Sequence, residues 1–233
     1  MPSRKIKPVD ISGLLSICPL LQDIGSEQIA RIASKTRDRA LVRGEALFHR
    51  GDAAHGLFLV IYGQIKLAFQ GSNGNEQVVQ LVDPRQCFGQ ISMLTECRHV
   101  LLAEAVADSL VLHIPKDVVL EMLDQHPGFA RRMLVDLARR TQALLRDVEI
   151  YTQQSGAQRV IGYLQQHCSD EKHPEDSIEI TLPAAKSIIA SRLNLTPETL
   201  SRIFHELSSA DLIAVQGKQI KINSLKRLHE YDA

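Results

Sequence analysis

The spacing of hydrophobic positions changes three times along the chain. Residues 11–35 carry Leu14, Leu15, Ile29, Ile32 and Ala33 at helical spacing, interrupted near Pro19 and Gly25. From about 40 to 115 the apolar residues gather instead into short runs separated by Gly, Asn and Asp. LFLVIYG, QIKLAF, QVVQLV and LVLHI are the clearest, and SNGN at 72–75 is a hairpin signal. Short strands with turns at regular intervals predict an antiparallel barrel or jelly roll. Residues 117–152 turn helical. From 155 onward the pattern predicts a compact all-helical segment with a terminal hairpin, SDEKHPEDS (169–177) forming a solvated loop within it. No internal repeat or low-complexity tract interrupts this order.

Within the long helical stretch, Ala130, Leu134, Leu137, Thr141, Leu144, Val148 and Tyr151 recur by fours and threes over about three heptads. Arg131, Arg132, Arg139, Arg140, Arg146 and Asp147 fall mostly off that seam. Such a helix either packs on its own barrel or pairs with a second copy. No other helix of matching length is expected. The spacing therefore favours a parallel homodimer with Leu134, Leu137, Thr141, Leu144, Val148 and Tyr151 at the interface.

The 233 residues suffice for one large domain or two ordinary ones, and 44% hydrophobic content supports a proper core. No apolar run approaches the ~18 residues of a membrane span. The basic N-terminus MPSRKIKPVD lacks a following apolar region, so a cytoplasmic protein without membrane partners is expected. The formal net charge is zero, so any nucleic-acid binding must come from a local face. Cys18, Cys87, Cys97 and Cys168 are scattered without a Cys-x-x-Cys pair, which argues against structural zinc or a disulfide framework. A Gly-rich phosphate loop, a nucleophile motif and clustered metal ligands are all missing from the sequence, so an enzyme is not expected.

Residues 183–207, PAAKSIIASRLNLTPETLSRIFHEL, carry the strongest functional signal. Ala184 to Leu193 reads as a short helix, NLT as a tight turn, and Thr196-Pro197 as N-cap and first turn of a second helix. That helix splits into an inward face of Leu200, Ile203, Phe204 and Leu207 and a polar face of Glu198, Ser201, Arg202 and His205. This is a helix-turn-helix with a face suited to double-stranded DNA. Arg202 matches guanine O6/N7, Glu198 accepts from cytosine N4, and Ser201 reaches a base edge or a phosphate. Thr196, Thr199, His205, Lys186 and Lys218 are candidates for backbone or secondary contacts. LIAVQGKQIKI (212–222) adds a wing that lays Lys218 and Lys221 toward phosphates.

Nearly the whole chain resembles the CRP/FNR family of bacterial transcription regulators. RGEALFHRGDAAHGLFLVIYGQIKL (43–67) is similar to that family's glycine-punctuated β-roll, and CFGQISML (87–94) to the loop closing over its ligand. The long helix resembles its dimer helix, and TPETLSRIFHEL (196–207) its recognition helix. The resemblance implies an α+β chain. Residues 1–116 would form an effector-sensing β-roll (jelly-roll) domain of the cyclic-nucleotide-binding type with N-terminal helices. Residues 117–152 would be a dimerisation helix and 153–233 a winged helix-turn-helix domain. It further implies that Glu198, Ser201 and Arg202 read TTGAT-like half-sites of an inverted repeat, and that residues 71–77 touch RNA polymerase.

For the effector, the resemblance points to Phe88, Gly89, Gln90, Arg98 and His99. Cyclic-nucleotide-binding members carry Glu where this chain has Gln90, and Ser where it has His99, so cAMP is disfavoured. FNR-type iron-sulfur binding needs grouped N-terminal cysteines, whereas Cys18 stands alone there, so no iron-sulfur cluster is expected. The chain looks most similar to the nitric-oxide-responsive DNR branch, which implies haem b in an apolar pocket. HVLLAEAV (99–106) would line it, with His99 and Pro2 as candidate ligands. Thiol redox through Cys87 and Cys97, which bracket the loop, is a further alternative.

Overall fold

The computed structural model describes residues 10–71, 76–168 and 177–231. Pro2, the SNGN turn at 72–75 and residues 169–176 of the polar loop lie outside these. The chain divides into two compact units, residues 1–139 and 140–233, with the boundary inside the long helix.

The first unit opens with α1 (Ile11–Ser16), whose N-cap Asp10 accepts a hydrogen bond from Gly13 N at 3.1 Å. A 3-10 turn (Pro19–Leu21) and α2 (Ser26–Lys35) follow. Then come β1 (Arg37–Leu41), β2 (Ala46–Phe48), β3 (Gly56–Tyr62), β4 (Ile65–Gln70), β5 (Glu76–Val82), β6 (Cys87–Phe88), α3 (Gln90–Leu94), β7 (Leu102–Ala105), β8 (Ser109–Pro115) and α4 (Lys116–Gln125). The strands form two four-stranded antiparallel sheets, ordered β1-β8-β3-β6 and β2-β7-β4-β5. Strands β3 and β8 read as continuous apolar runs because both of their faces are covered. Leu57, Leu59, Leu112 and Ile114 pack against helical residues including Leu15, Ile32, Val119 and Met122. Val60 and Val111 face the roll interior with Ile65, Val82, Phe88 and Ala103. Each of the Val, Leu, Ile, Met and Phe side chains among them contributes roughly 1.5–3 kcal/mol on burial.

The stretch expected to be one helix over 117–152 is two. Helix α4 ends at Gln125, and α5 (Pro127–Gln153) starts afresh at Pro127. Proline brings no amide to bond backward and disfavours a helical His126, which sits at φ −125°, ψ 89°. Helix α5 also has an inward face. Phe129 and Met133 are buried in the first unit's core, with Leu137 packed against it. Arg132 Nε donates to Leu20 O at 3.0 Å, and its guanidinium also reaches Gln22 O and Asp23 Oδ2. Packing on its own barrel thus accounts for this part of the helix. Leu134, Thr141, Leu144 and Val148 are exposed, as is Leu145, which the predicted seam omits. Leu137 and Tyr151 of that seam are partly buried instead.

The second unit carries α6 (Gly156–Gln166), started by a capping box in which Ser155 and Gln158 each bond the other's backbone amide. After it come β9 (Ile178–Thr181), α7 (Lys186–Arg192), α8 (Pro197–Ser209), β10 (Ile213–Gln216), β11 (Gln219–Ile222) and α9 (Leu225–His229). The expected all-helical segment therefore contains a strand. IEIT alternates buried and exposed and pairs antiparallel with β11, making a three-stranded sheet β10-β11-β9. Four residues beside a polar run give too short an alternation to stand out in the sequence. Among the described residues no helix is long and apolar enough to cross a membrane.

Candidate nucleic-acid interface and effector cavity

In the second unit, α7 and α8 form a helix-turn-helix whose geometry is fixed from both sides of the turn. Asn194 adopts the left-handed conformation at φ 54°, which asparagine tolerates. Arg159 Nη1 donates to Leu193 O at 2.8 Å and Asn194 O at 3.3 Å, holding the turn's carbonyls. Arg192, the last residue of α7, donates through Nη2 to both Asp147 oxygens (2.9 and 2.8 Å) and through Nη1 to the Tyr151 hydroxyl (2.6 Å). That hydroxyl donates to Arg192 O at 2.5 Å. Tyr151, expected at a dimer seam, thus has its hydroxyl committed within the second unit.

Helix α8 begins at Thr196, whose side chain accepts from Thr199 N at 3.2 Å, with Pro197 in the first turn. Leu200, Ile203, Phe204 and Leu207 are buried beneath it. Glu198, Ser201, Arg202 and His205 are exposed on the opposite face. The Glu198 carboxyl is held below its ordinary range, by its own backbone amide first and then by the Thr196 side chain, so it remains an acceptor. Arg202 Nε lies 3.8 Å from Glu206 Oε1 in a well-exposed pair. Thr196 is exposed and Thr199 half-buried. Lys186 sits over the Phe204 ring, 5.5 Å from its centroid, so its stem braces α7 against α8. Lys218 is exposed at the tip of the β10–β11 hairpin, where Gly217 takes φ 61°. Lys221 is exposed on β11.

In the first unit, a cavity of about 560 Å³ opens at the end of the roll. Strand register builds its walls: Arg37 on β1 pairs with His113 on β8, which pairs with Phe58 on β3, and Arg39 lies two residues further on the same face. Leu47, Phe48, Asp38, Asp52, Ala53, His55 and His99 complete the lining. The His99 ring stacks on Phe48, centroids 3.6 Å apart and planes within 8°. Its backbone is tied by His99 N to Asp52 O (2.8 Å) and Gly51 N to His99 O (2.7 Å). Burial pushes the His99 and His113 imidazoles below their ordinary range, against the pull of Asp52 on His99, so both are neutral at pH 7. Among the described residues the His99 ring nitrogens have no hydrogen-bond partner.

Of the five residues expected to face an effector, His99 alone lines this cavity. Phe88 is buried and stacked on Phe58 at 5.3 Å. Gly89 makes the turn into α3 at φ 89°, where a Cβ would lie 3.1 Å from the Phe58 ring and 3.2 Å from Gly56 O. Gln90 is almost fully buried, and its Nε2 donates to Asp136 Oδ2 of α5 at 3.0 Å. Arg98 is exposed and donates to Gly51 O at 2.7 Å. Arg37 and Arg39 of β1, His55 and His113 were missed because β1, the loop before β3 and β8 are far apart in the sequence.

The chain matches the cyclic nucleotide-binding domain over residues 38–126 and the Crp-like helix-turn-helix domain over residues 158–231. The chain belongs to the CRP/FNR family of transcription regulators. The "Probable transcriptional regulator flp" of Lacticaseibacillus casei is 26% identical, over 93% of this chain and 96% of its own. The "Global nitrogen regulator" of Synechococcus elongatus is 29% identical, over 77% and 82%. A solved structure of a CooA variant from Carboxydothermus hydrogenoformans superposes with a TM-score of 0.76 at 16% identity, covering 97% of each chain, and shares the fold of this CRP/FNR regulator.

Proposed function

We propose that this CRP/FNR regulator is a homodimer reading an inverted repeat of TTGAT-like half-sites, one α8 per subunit, under control of an effector in the roll. The observation carrying the DNA reading is the split of α8. Glu198, Ser201 and Arg202 share one exposed face at one-turn spacing while Leu200, Ile203, Phe204 and Leu207 anchor the other. Exposed Leu134, Leu144, Leu145 and Val148 supply an apolar line for pairing α5 with its copy. Residues 71–77 are assigned to RNA polymerase by family resemblance. Fluorescence anisotropy on a labelled duplex tests the reading. Binding of one dimer to the TTGAT-type repeat should exceed binding to a scrambled duplex by about 10³-fold or more. Equal affinity for both duplexes would overturn it.

For the effector we infer haem b and a diatomic gas such as nitric oxide, in keeping with the resemblance to the DNR branch. The supporting observation is neutral, buried His99 with unengaged ring nitrogens at a cavity walled in part by Leu47, Phe48, Ala53 and Phe58. A volume of about 560 Å³ suits a cofactor-sized molecule. His99 would hold the group through a ring nitrogen, and Arg37 at the cavity wall would offer a positive charge to its carboxylates. When bound, the iron would provide the site at which a gas is held. Pro2 lies outside the described residues and is not needed for this reading. Protein purified after haem supplementation should show a Soret band that shifts with nitric oxide and is lost in His99→Ala. Absence of the band would overturn the haem reading and leave the DNA reading untouched.

A further inference from the structure

The first unit holds a sulfur pair that the effector reading does not use. Cys18 precedes the 3-10 turn at Pro19–Leu21, and Cys87 lies in β6, paired with Leu59 of β3. Their Sγ atoms are 3.9 Å apart, and the residues are 1% and 4% exposed. A disulfide requires sulfurs about 2.05 Å apart, so each must move about 1 Å, within reach of small side-chain rotations. The remaining thiols lie elsewhere: Cys97 is exposed and donates to Thr95 O, and Cys168 donates to Leu164 O. Cys87, one of the two loop thiols that the sequence offers as an alternative, thus has Cys18 beside it.

We propose that Cys18 and Cys87 form a reversible intramolecular disulfide, with a hydroperoxide as oxidant and a small dithiol as reductant. The Cys18 thiolate attacks a peroxide oxygen, the O–O bond breaks, and water or alcohol leaves, giving a sulfenic acid on Cys18. The Cys87 sulfur then attacks the Cys18 sulfur and loses its proton as the hydroxyl departs as water. Two thiols surrender two electrons and two protons, and one peroxide becomes two hydroxyl products. The reductant reverses this by thiol–disulfide exchange, itself becoming a disulfide.

The Cys18 thiol is held below its ordinary range, chiefly by its hydrogen bond with Cys87 and against burial, with the backbone of Leu20 and Leu21 pulling the same way. An apolar cavity of about 10 Å³, bordered by Leu20, Ile32 and Met122, adjoins Cys18. That is close to the smallest space that admits a water-sized molecule.

Closure also has a path to the long helix. Cys87 is followed directly by buried Phe88, by Gly89 in its left-handed turn, and by Gln90 bonded to Asp136 of α5. Any part of the closure taken up by the Cys87 backbone passes to the segment that carries this bond. Bond formation stands independently of the regulator reading; its effect on DNA binding rests on it.

The test uses the full chain carrying Cys97→Ser and Cys168→Ser. After graded hydrogen peroxide and a quench, the protein is denatured, alkylated with iodoacetamide and mapped without reduction by mass spectrometry. The expected product is one peptide pair linking Cys18 to Cys87, two hydrogens lighter, alkylated only after dithiothreitol. Thiols that stay alkylatable, separate over-oxidation, or a link between chains would each overturn the proposal. The oxidised protein should bind the inverted repeat with an affinity changed several-fold and restored by dithiothreitol. A disulfide without that change removes the coupling to α5. Failure of the reduced protein to bind any repeat counts against the regulator reading and not against the sulfur pair.

Discussion

Replacing Arg202 with alanine is expected to weaken binding to the inverted repeat by about 1–3 kcal/mol per half-site, roughly 5- to 150-fold, and to relax preference at one base pair. The guanidinium stands on the exposed face of α8, one turn after Glu198 and next to Ser201. Its intramolecular partner, Glu206, lies 3.8 Å away with both side chains more than half exposed. Such a pair contributes at most about 1 kcal/mol, so it does not compete with a bidentate bond to guanine. Little else holds the side chain, so folding stability should change by less than about 0.5 kcal/mol. Anisotropy titrations against repeats substituted at each half-site position give the readout. The loss should concentrate at one base pair and vanish there once its guanine is replaced. A loss of equal size on every duplex would place Arg202 on a phosphate.

The face bearing Arg202 was legible because everything that specifies it is local. A Thr-Pro cap, a tight turn and a two-faced helix lie within 183–207, and the burial of Leu200, Ile203, Phe204 and Leu207 follows the 3.6-residue period. Strands β3 and β8 were legible for a related reason, since covering both faces leaves unbroken apolar runs. What escaped the sequence depends on pairing between distant segments. Arg37, Phe58 and His113 meet only through the register of three strands, so the cavity has no linear signature. Cys18 and Cys87 are 69 residues apart, so nothing local in the sequence pairs them. Helix α5 misled in another way. Its apolar residues serve two purposes, Met133 and Leu137 facing their own core while Leu134, Leu145 and Val148 face outward. The predicted seam takes Leu137 from the first set and Leu134 and Val148 from the second. Its place after Phe-Gly marks Gln90 as an effector contact, yet its amide turns inward to Asp136.

The second large effect is expected from Arg192→Met, which should destabilise the second unit by about 2–3 kcal/mol and weaken binding to all duplexes alike. Arg192 ends α7 and bonds three ways: to both Asp147 oxygens, to the Tyr151 hydroxyl, and through its own carbonyl to that same hydroxyl. Its side chain is 24% exposed and that of Asp147 19%. Methionine fills comparable space but strands the carboxylate, whose cost in full burial is about 3–5 kcal/mol and is reduced here by residual solvent. Lysine should recover only part of the loss, because an ammonium cannot present the planar fork that spans both oxygens. Hydrogen exchange resolved by segment separates this from global unfolding, since amides of α7 and α8 should exchange faster while β3 and β8 keep their protection. Anisotropy then distinguishes the two arginines. Arg192 holds the helix that positions α8, so its loss should scale affinity down by one factor on cognate and scrambled DNA, whereas Arg202 changes their ratio. A change in base preference in Arg192→Met would show that the clamp shapes the reading face itself.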